Sequence, residues 1–240
     1  MTLAIQQSKP VIELRIPKLT VDDLKVDMLA ILSTQSKTRK FEAMSVEITS
    51  QLDAIAGIVW EEDEHGNIYV TKGKAENYPI FVCHTDTVHE IKDAGIQVFR
   101  SRAGNYFAYT EKDSVLEPAG IGGDDKCGII ACIELLHRLK VVKCVFFVNE
   151  ESPASCEGSR LGNLEFFDNG RFAIQIDRKG SSDIIINGSG TELCSQEFID
   201  NLIKPLGAVY QYATTTGMNT DVVALKKRGL GIACVNLSAG

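Results

Sequence analysis

Val141-Val142-Lys143-Cys144-Val145-Phe146-Phe147-Val148 runs directly into Asn149-Glu150-Glu151. A β-branched and aromatic apolar run of this length is the pattern of a strand covered on both faces, as at the centre of a parallel sheet. The two carboxylates that follow it then stand at the strand's carboxyl end, where ligands bind in α/β sheets. Upstream, residues 124–139 carry Ile129, Ile133 and Leu136 at helical spacing and open after the glycine turn 120–123. A helix feeding a buried strand is part of an α/β unit.

Working outward, the same arrangement recurs. The short strand 79–83 runs into His84-Thr85-Asp86-Thr87-Val88, the glycine turn into Asp124-Asp125-Lys126, and the strand 172–176 into Asp177. Helices are expected over 21–32, 41–55, 192–203 (stopped by Pro205) and 219–227. Hairpins are expected over 57–71 and 96–110, and further strands over 184–186, 208–212 and 231–235. Residues 1–20, with Pro10 and Pro17, read as an extended lead-in. The expected fold class is α/β: a mostly parallel mixed sheet sandwiched by helices, with antiparallel hairpins at one side. No repeat, low-complexity tract or linker divides the chain, so one domain over 1–240 is expected.

Composition narrows the partners. The 240 residues are 44% apolar and 24% charged, an ordinary globular balance. A formal charge of −7 argues against nucleic acid or an anionic membrane, which call for a basic footprint. Seven cysteines without a C-x-x-C pair read as reduced thiols of a cytoplasmic chain. No stretch approaches the ~18 apolar residues of a membrane span.

Converging carboxylates repel one another unless a cation lies among them. An imidazole with carboxylate oxygens suits zinc, with manganese or cobalt as alternatives. Two metals ~3.5–4 Å apart are the arrangement of many hydrolases. His84 and Asp86 share a strand face, so Asp86 is placed to hold the second ring nitrogen. Taken singly, each cluster has a bland reading: a surface turn at His84, a helix cap at Asp124, a solvated loop at Glu150-Glu151, an ion pair of Asp177 with Arg178 or Lys179. Four such coincidences at four element ends in one order are a poorer explanation than one site. There is no G-x-S-x-G elbow, no G-x-G-x-x-G, no G-K-[ST] and no H-E-x-x-H. Cys83 points to the face opposite His84 and reads as a core thiol.

The order His84-x-Asp86, Gly-x-x-Asp124-x-Lys126-x-Gly128, Glu150-Glu151, Asp177 resembles the co-catalytic dizinc exopeptidases, the group of peptidase T, carboxypeptidase G and aminoacylase. Residues 215–221 and 236–240 are similar to that group as well. The resemblance implies two zinc ions bridged by Asp124. His84 and Asp177 complete one site and Glu151 serves the other. Glu150 is the general base, Asp86 orients His84, and Gly217, Thr220 and Asp221 hold the substrate backbone. It also implies a cis Asp124–Asp125 peptide. The implied activity is hydrolysis of short peptides by an exopeptidase, an aminopeptidase. The alternatives are a deacylase of N-acyl amino acids and an inactive metal-binding protein.

Two departures accompany the resemblance. No lid or dimerisation domain fits between Asp177 and Thr215, so a monomer is expected. The group's final metal-ligating His would follow the 236–240 turn, beyond Gly240, so the chain reads as C-terminally truncated relative to the group, with unequal metal sites and low activity. His89 is the nearest stand-in.

Overall fold

The structure, a computed structural model, describes residues 20–238. In chain order its strands are β1 (Ile58–Glu62), β2 (Ile68–Lys72), β3 (Tyr78–His84), β4 (Gln97–Arg100), β5 (Tyr106–Lys112), β6 (Val115–Ala119), β7 (Val142–Phe147), β8 (Gly170–Arg178), β9 (Asp183–Gly188), β10 (Thr191–Glu192), β11 (Ala213–Gly217) and β12 (Ala233–Ser238). Its α-helices are α1 (Met28–Ser33), α2 (Glu42–Asp53), α3 (Gly123–Arg138), α4 (Glu157–Leu161), α5 (Gln196–Phe198), α6 (Lys204–Tyr210) and α7 (Asp221–Lys227).

β7 is buried at every residue, as its apolar run requires. It lies inside a nine-stranded sheet, parallel to β3 and antiparallel to β2. β3 continues parallel to β8, and β8 parallel to β12. Antiparallel pairs flank this parallel centre, β1 on β2 at one side and β12 on β9 at the other. The fold is therefore α/β with a mostly parallel mixed sheet, and β4–β5–β6 form a separate antiparallel sheet.

Strand alternation divides the core in two. Cys83, Cys144 and Phe146 face Ile129, Cys132, Ile133 and Leu136 of α3, with Met44, Ile48 and Leu52 of α2 behind. Ile80, Val82, Val145 and Phe147 face the other way, onto Val222, Val223 and Leu225 of α7. Lys143, within β7, is accommodated because its ammonium donates to the Phe166 carbonyl and to Asn169 Oδ1, both at 2.6 Å, over the Phe166 ring. The register pairs His84 with Phe147, so the ends of β3 and β7 lie level. That brings the segments after both strands to one edge of the sheet.

Several expectations change. The helix over 21–32 is a 3-10 turn (Val21–Asp23) followed by α1. Between them the Glu134 carboxylate accepts the N–H groups of Lys25 and Val26, at 2.7 and 3.2 Å, and Asp27 caps α1 through Ala30 N–H. The helix beginning at Gln196 does not stop at Pro205. It passes through a π turn (Ile199–Ile203) into α6, and the wider turn just before Pro205 accommodates a residue with no N–H to donate. That overturns the strand expected over 208–212. Residues 213–217, for which no element is expected, form β11 parallel to β9, and β6 adds a third strand to the second hairpin. The lead-in over 1–19 and residues 239–240 lie outside the described residues. Among the described residues no helix is long and apolar enough to cross a membrane.

Candidate metal centre

His84 ends β3 and is fully buried. Its Nδ1 lies 2.9 Å from the carbonyl oxygen of Asp86, which fixes Nδ1 as the donor and aims Nε2 at the carboxylates. Nε2 lies 3.0 Å from Asp124 Oδ1, 3.6 Å from Asp177 Oδ1 and 3.9 Å from Glu150 Oε2. Burial alone would depress the imidazole's pKa, but hydrogen bonding to Asp124, Asp177 and Asp86 outweighs it and holds the pKa well above the usual value.

The Asp86 carboxylate, 3.6 Å from the ring, also serves the loop beyond β7. It accepts the backbone N–H of Glu150 at 2.9 Å and of Glu151 at 3.2 Å, and the Thr38 hydroxyl at 2.9 Å. Orientation of His84 thus comes from the Asp86 main chain, and the side chain anchors the Glu150-Glu151 loop. Burial pushes this carboxyl up, yet His84 and those donors keep it below the usual range.

Asp124 opens α3 after Gly122, whose φ of +71° and contact with Thr87 leave no room for a Cβ. The Asp124–Asp125 peptide is cis. The two carboxylates diverge. Asp124 points outward to His84, while Asp125 turns inward to accept Gly128 N–H at 2.9 Å and His84 N–H at 3.2 Å. Asp177, on β8, accepts Gln175 Nε2 at 2.8 Å, and Gln175 Oε1 accepts Val222 N–H at 3.0 Å. Asn236 brackets the Asp177 main chain from β12, accepting its N–H and donating to its carbonyl.

Among the described residues, two groups could hold a cation: His84 with Asp124 and Asp177, and His84 with Glu150 and Glu151, each with donor atoms within 4.8 Å of one another. All five side chains therefore meet, with His84 common to both groups. Asp124 and Glu151, which the resemblance joins in one site, fall in different groups. A cleft of about 320 Å³ opens beside Asp124 and Asp177, lined also by Cys127, Ile176 and Lys179. Asp221 is fully buried and lies 3.4 Å from Gln175 Nε2, with Oδ1 unpartnered, so it does not line an open substrate path. Thr220 keeps a buried, unpartnered hydroxyl, and Gly217 ends β11. His89 is exposed against Gly120 and belongs to neither group; His65 and His137 are half-buried and belong to neither group either.

A strap from the N-terminal side ties these loops together. Besides the bond from Thr38 to Asp86, Arg39 N–H donates to Asn149 Oδ1 at 2.7 Å and Thr87 Oγ1 to the Ser36 carbonyl at 2.7 Å. Lys126 Nζ reaches the Leu32 carbonyl at 2.9 Å. Sequence reasoning missed Thr38, Gln175 and Cys156, whose Sγ contacts Glu150 Oε1 at 3.2 Å. Of these only Gln175 left a signal, since it shares a strand face with Asp177.

Burial pushes the Glu150 carboxyl up to about 7 and Asp177 up to about 6, and raises Glu151. Asp124 is held below the usual range by its bond to His84. Unfolding returns Glu150 and Asp177 to ordinary values near 4.5 and 3.8. Between those limits the folded chain binds more protons than the unfolded one, so stability falls as pH rises. His84, held above its ordinary 6.5, acts in the same sense through neutral pH. In chelator, thermal unfolding is expected at a lower temperature at pH 7.5 than at pH 5.5, and a divalent cation should restore most at pH 7.5. Equal midpoints in chelator would contradict this cluster.

No protein-family profile matches the sequence, and no curated protein matches it. Solved structures match its fold. A TET aminopeptidase from the marine sediment archaeon Thaumarchaeota archaeon SCGC AB-539-E09 aligns with a TM-score of 0.61 at 12% identity, over 88% of this chain and 86% of that one. The TET1 peptidase of Pyrococcus horikoshii gives 0.59 at 17% identity, over 88% and 90%. A tripeptidase from Staphylococcus aureus gives 0.54 at 20% identity over 67% of this chain, which spans 44% of the tripeptidase. The Pyrococcus enzyme assembles into a tetrahedron or a large octahedral shell, so the monomer expected from the sequence has no parallel there. At these identities the likeness concerns architecture: the chain has the fold of these peptidases.

Proposed function

We propose that residues 1–240 act as one catalytic domain, a metal-dependent exopeptidase that removes residues from the free amino end of short peptides. The observation that carries this is the meeting of His84, Asp124, Glu150, Glu151 and Asp177, drawn from four separate segments, at one sheet edge. The donor set fits divalent cations. It offers one imidazole and four carboxylates, three of them pushed toward their protonated forms when the chain is alone, a condition a cation relieves. His84, Asp124 and Asp177 would hold one ion, and Glu151, which meets His84 and Glu150 in the other group, would serve a second; zinc suits these donors, as do manganese or cobalt. Ions bound there supply Lewis acidity toward a carbonyl oxygen and make water more acidic.

The chain's own residues do the rest. Glu150, with its carboxyl near neutrality, takes a proton from the attacking water and hands it to the leaving amine. Asp86 holds the Glu150-Glu151 main chain while its carbonyl keeps His84 in one tautomer. Seven free thiols support a reducing, cytoplasmic setting.

The test is hydrolysis of dipeptides, tripeptides, N-blocked peptides and N-acyl amino acids, with zinc, manganese or cobalt added and with chelator. Cleavage confined to free amino termini and abolished by chelator is expected. Turnover of N-acyl amino acids alone would reassign the chain to the deacylases.

A further inference from the structure

Behind the cation groups, two carboxylates share one neutral amide. Gln175 precedes Asp177 by two positions on β8, so both side chains leave the strand on one face. Gln175 is fully buried, and so is Asp221 at the start of α7. Gln175 Nε2 donates to Asp177 Oδ2 at 2.8 Å and approaches Asp221 Oδ2 at 3.4 Å. Gln175 Oε1 accepts the main-chain N–H of Val222 at 3.0 Å.

The Val222 amide decides which way this side chain points. A main-chain N–H only donates, so the Gln175 oxygen must face it, and the two Gln175 N–H groups must face Asp177 and Asp221. A reversed amide would set donor against donor and its oxygen against two carboxyl groups. Val222 is itself fixed, packed with Val223 and Leu225 of α7 against Ile80, Val82 and Val145 of the sheet. One face of the core therefore holds the Gln175 side chain in a single orientation.

The consequence falls on Asp177, whose two oxygens keep different company. Oδ2 is engaged by Gln175, while Oδ1 lies 3.6 Å from His84 Nε2, on the side where His84, Asp124 and Asp177 meet. A carboxylate without such a partner can rotate and offer either oxygen, or both, to a cation. Bonds of this kind orient the groups that ligate a metal.

We propose that Gln175 is a positioning residue of the metal centre: clamped by Val222, it engages Asp177 Oδ2 so that Oδ1 alone is presented to the cation. The proposal rests on the metal-binding part of the exopeptidase reading and on no step of the reaction. Asp221, which the resemblance gives to substrate, then belongs to the buried support behind the centre, as the second carboxyl that Gln175 faces.

The experiment is a calorimetric zinc titration of the metal-free protein, with thermal unfolding in chelator alongside. Gln175→Met keeps the length of the side chain and removes its donors and its acceptor. Zinc affinity is expected to fall by about 10–100-fold, the loss typical when the partner of a metal ligand is removed. Stability should fall as well, because Val222 N–H is left buried without an acceptor. Lys143→Met separates the two effects. It breaks the bonds to the Phe166 carbonyl and Asn169 Oδ1 at the opposite end of β7, so it should lower stability and leave zinc affinity unchanged. The visible spectrum of bound cobalt should change in Gln175→Met and match the parent in Lys143→Met. A reading that needs no variant comes from the parent protein, where the Gln175 side-chain N–H resonances should exchange slowly with solvent and move when zinc is added. Undiminished zinc affinity in folded Gln175→Met, or Gln175 resonances that ignore bound zinc, overturns the positioning role. A parent chain that binds no zinc removes the centre and the role together. Zinc binding that depends on Gln175, with no turnover of any peptide, would keep the role and sink the exopeptidase reading.

Discussion

Glu150→Gln is expected to lower turnover by about 10²–10⁴-fold while leaving metal content close to that of the parent protein. The amide keeps the shape of the carboxylate and the contact with Cys156 Sγ, so the loop should hold its place. Its main-chain N–H, bound to Asp86 Oδ1, is untouched. What disappears is the ability to accept a proton and release it to the leaving amine, for which a carboxyl near 7 is well suited. Metal content adds a second discrimination. Glu150 Oε2 lies 3.9 Å from His84 Nε2, and Glu150 belongs to one of the two groups able to hold a cation. A variant that loses an equivalent of metal along with its activity would make Glu150 a ligand instead of the base. Retained activity in the presence of metal would remove the proposed proton transfer altogether.

Asp124→Ala is expected to weaken cation binding by more than about 100-fold while the metal-free chain stays folded. The two halves of this expectation have one cause. The Asp124 side chain is 69% exposed and bonds chiefly to His84 Nε2, so its loss opens no core cavity and breaks no main-chain anchor. Yet it is the carboxylate nearest the imidazole, and removing it leaves His84 and Asp177 alone in their group. Calorimetric zinc titration and thermal unfolding in chelator read the two halves separately. Undiminished zinc binding would show that Asp124 is no ligand. Collapse of the metal-free chain would show that its role is structural.

The parts visible in the sequence were those with a strong local cause. β3, β7 and β8 announce themselves as apolar runs, and chemistry-bearing residues follow or end each of them, so the convergence of His84, Glu150, Glu151 and Asp177 could be read without coordinates. The supporting groups could not. Thr38 reaches Asp86 across 48 positions, and Arg39 reaches Asn149 across 110. A hydroxyl or a main-chain amide carries no mark of a partner so distant. The interruption between Val21 and α1 has the same origin, because Glu134 holds Lys25 from 109 positions away and local helical spacing knows nothing of it. Residues 208–212 show local preference overruled, since Val209, Tyr210 and Tyr212 favour a strand, yet the helix entering from the π turn carries through Tyr210. At Asp86, spacing gives the face the side chain occupies and not the amides of Glu150 and Glu151 that lie above it.

The strap from Leu32 to Arg39 makes cation affinity a property of more than the ligands. Its bonds end on Asp86, Thr87, Lys126 and Asn149, which stand within three residues of His84, Asp124 and Glu150. Docked, it holds the loops in the spacing a cation needs; undocked, it leaves them free to separate under their own repulsion. By thermodynamic reciprocity, whatever loosens the strap weakens the cation's hold, and a bound cation tightens the strap by the same free energy. Occupancy of the centre is thereby felt at the surface around Gln35 and Lys37, on a stretch of chain that contributes no ligand.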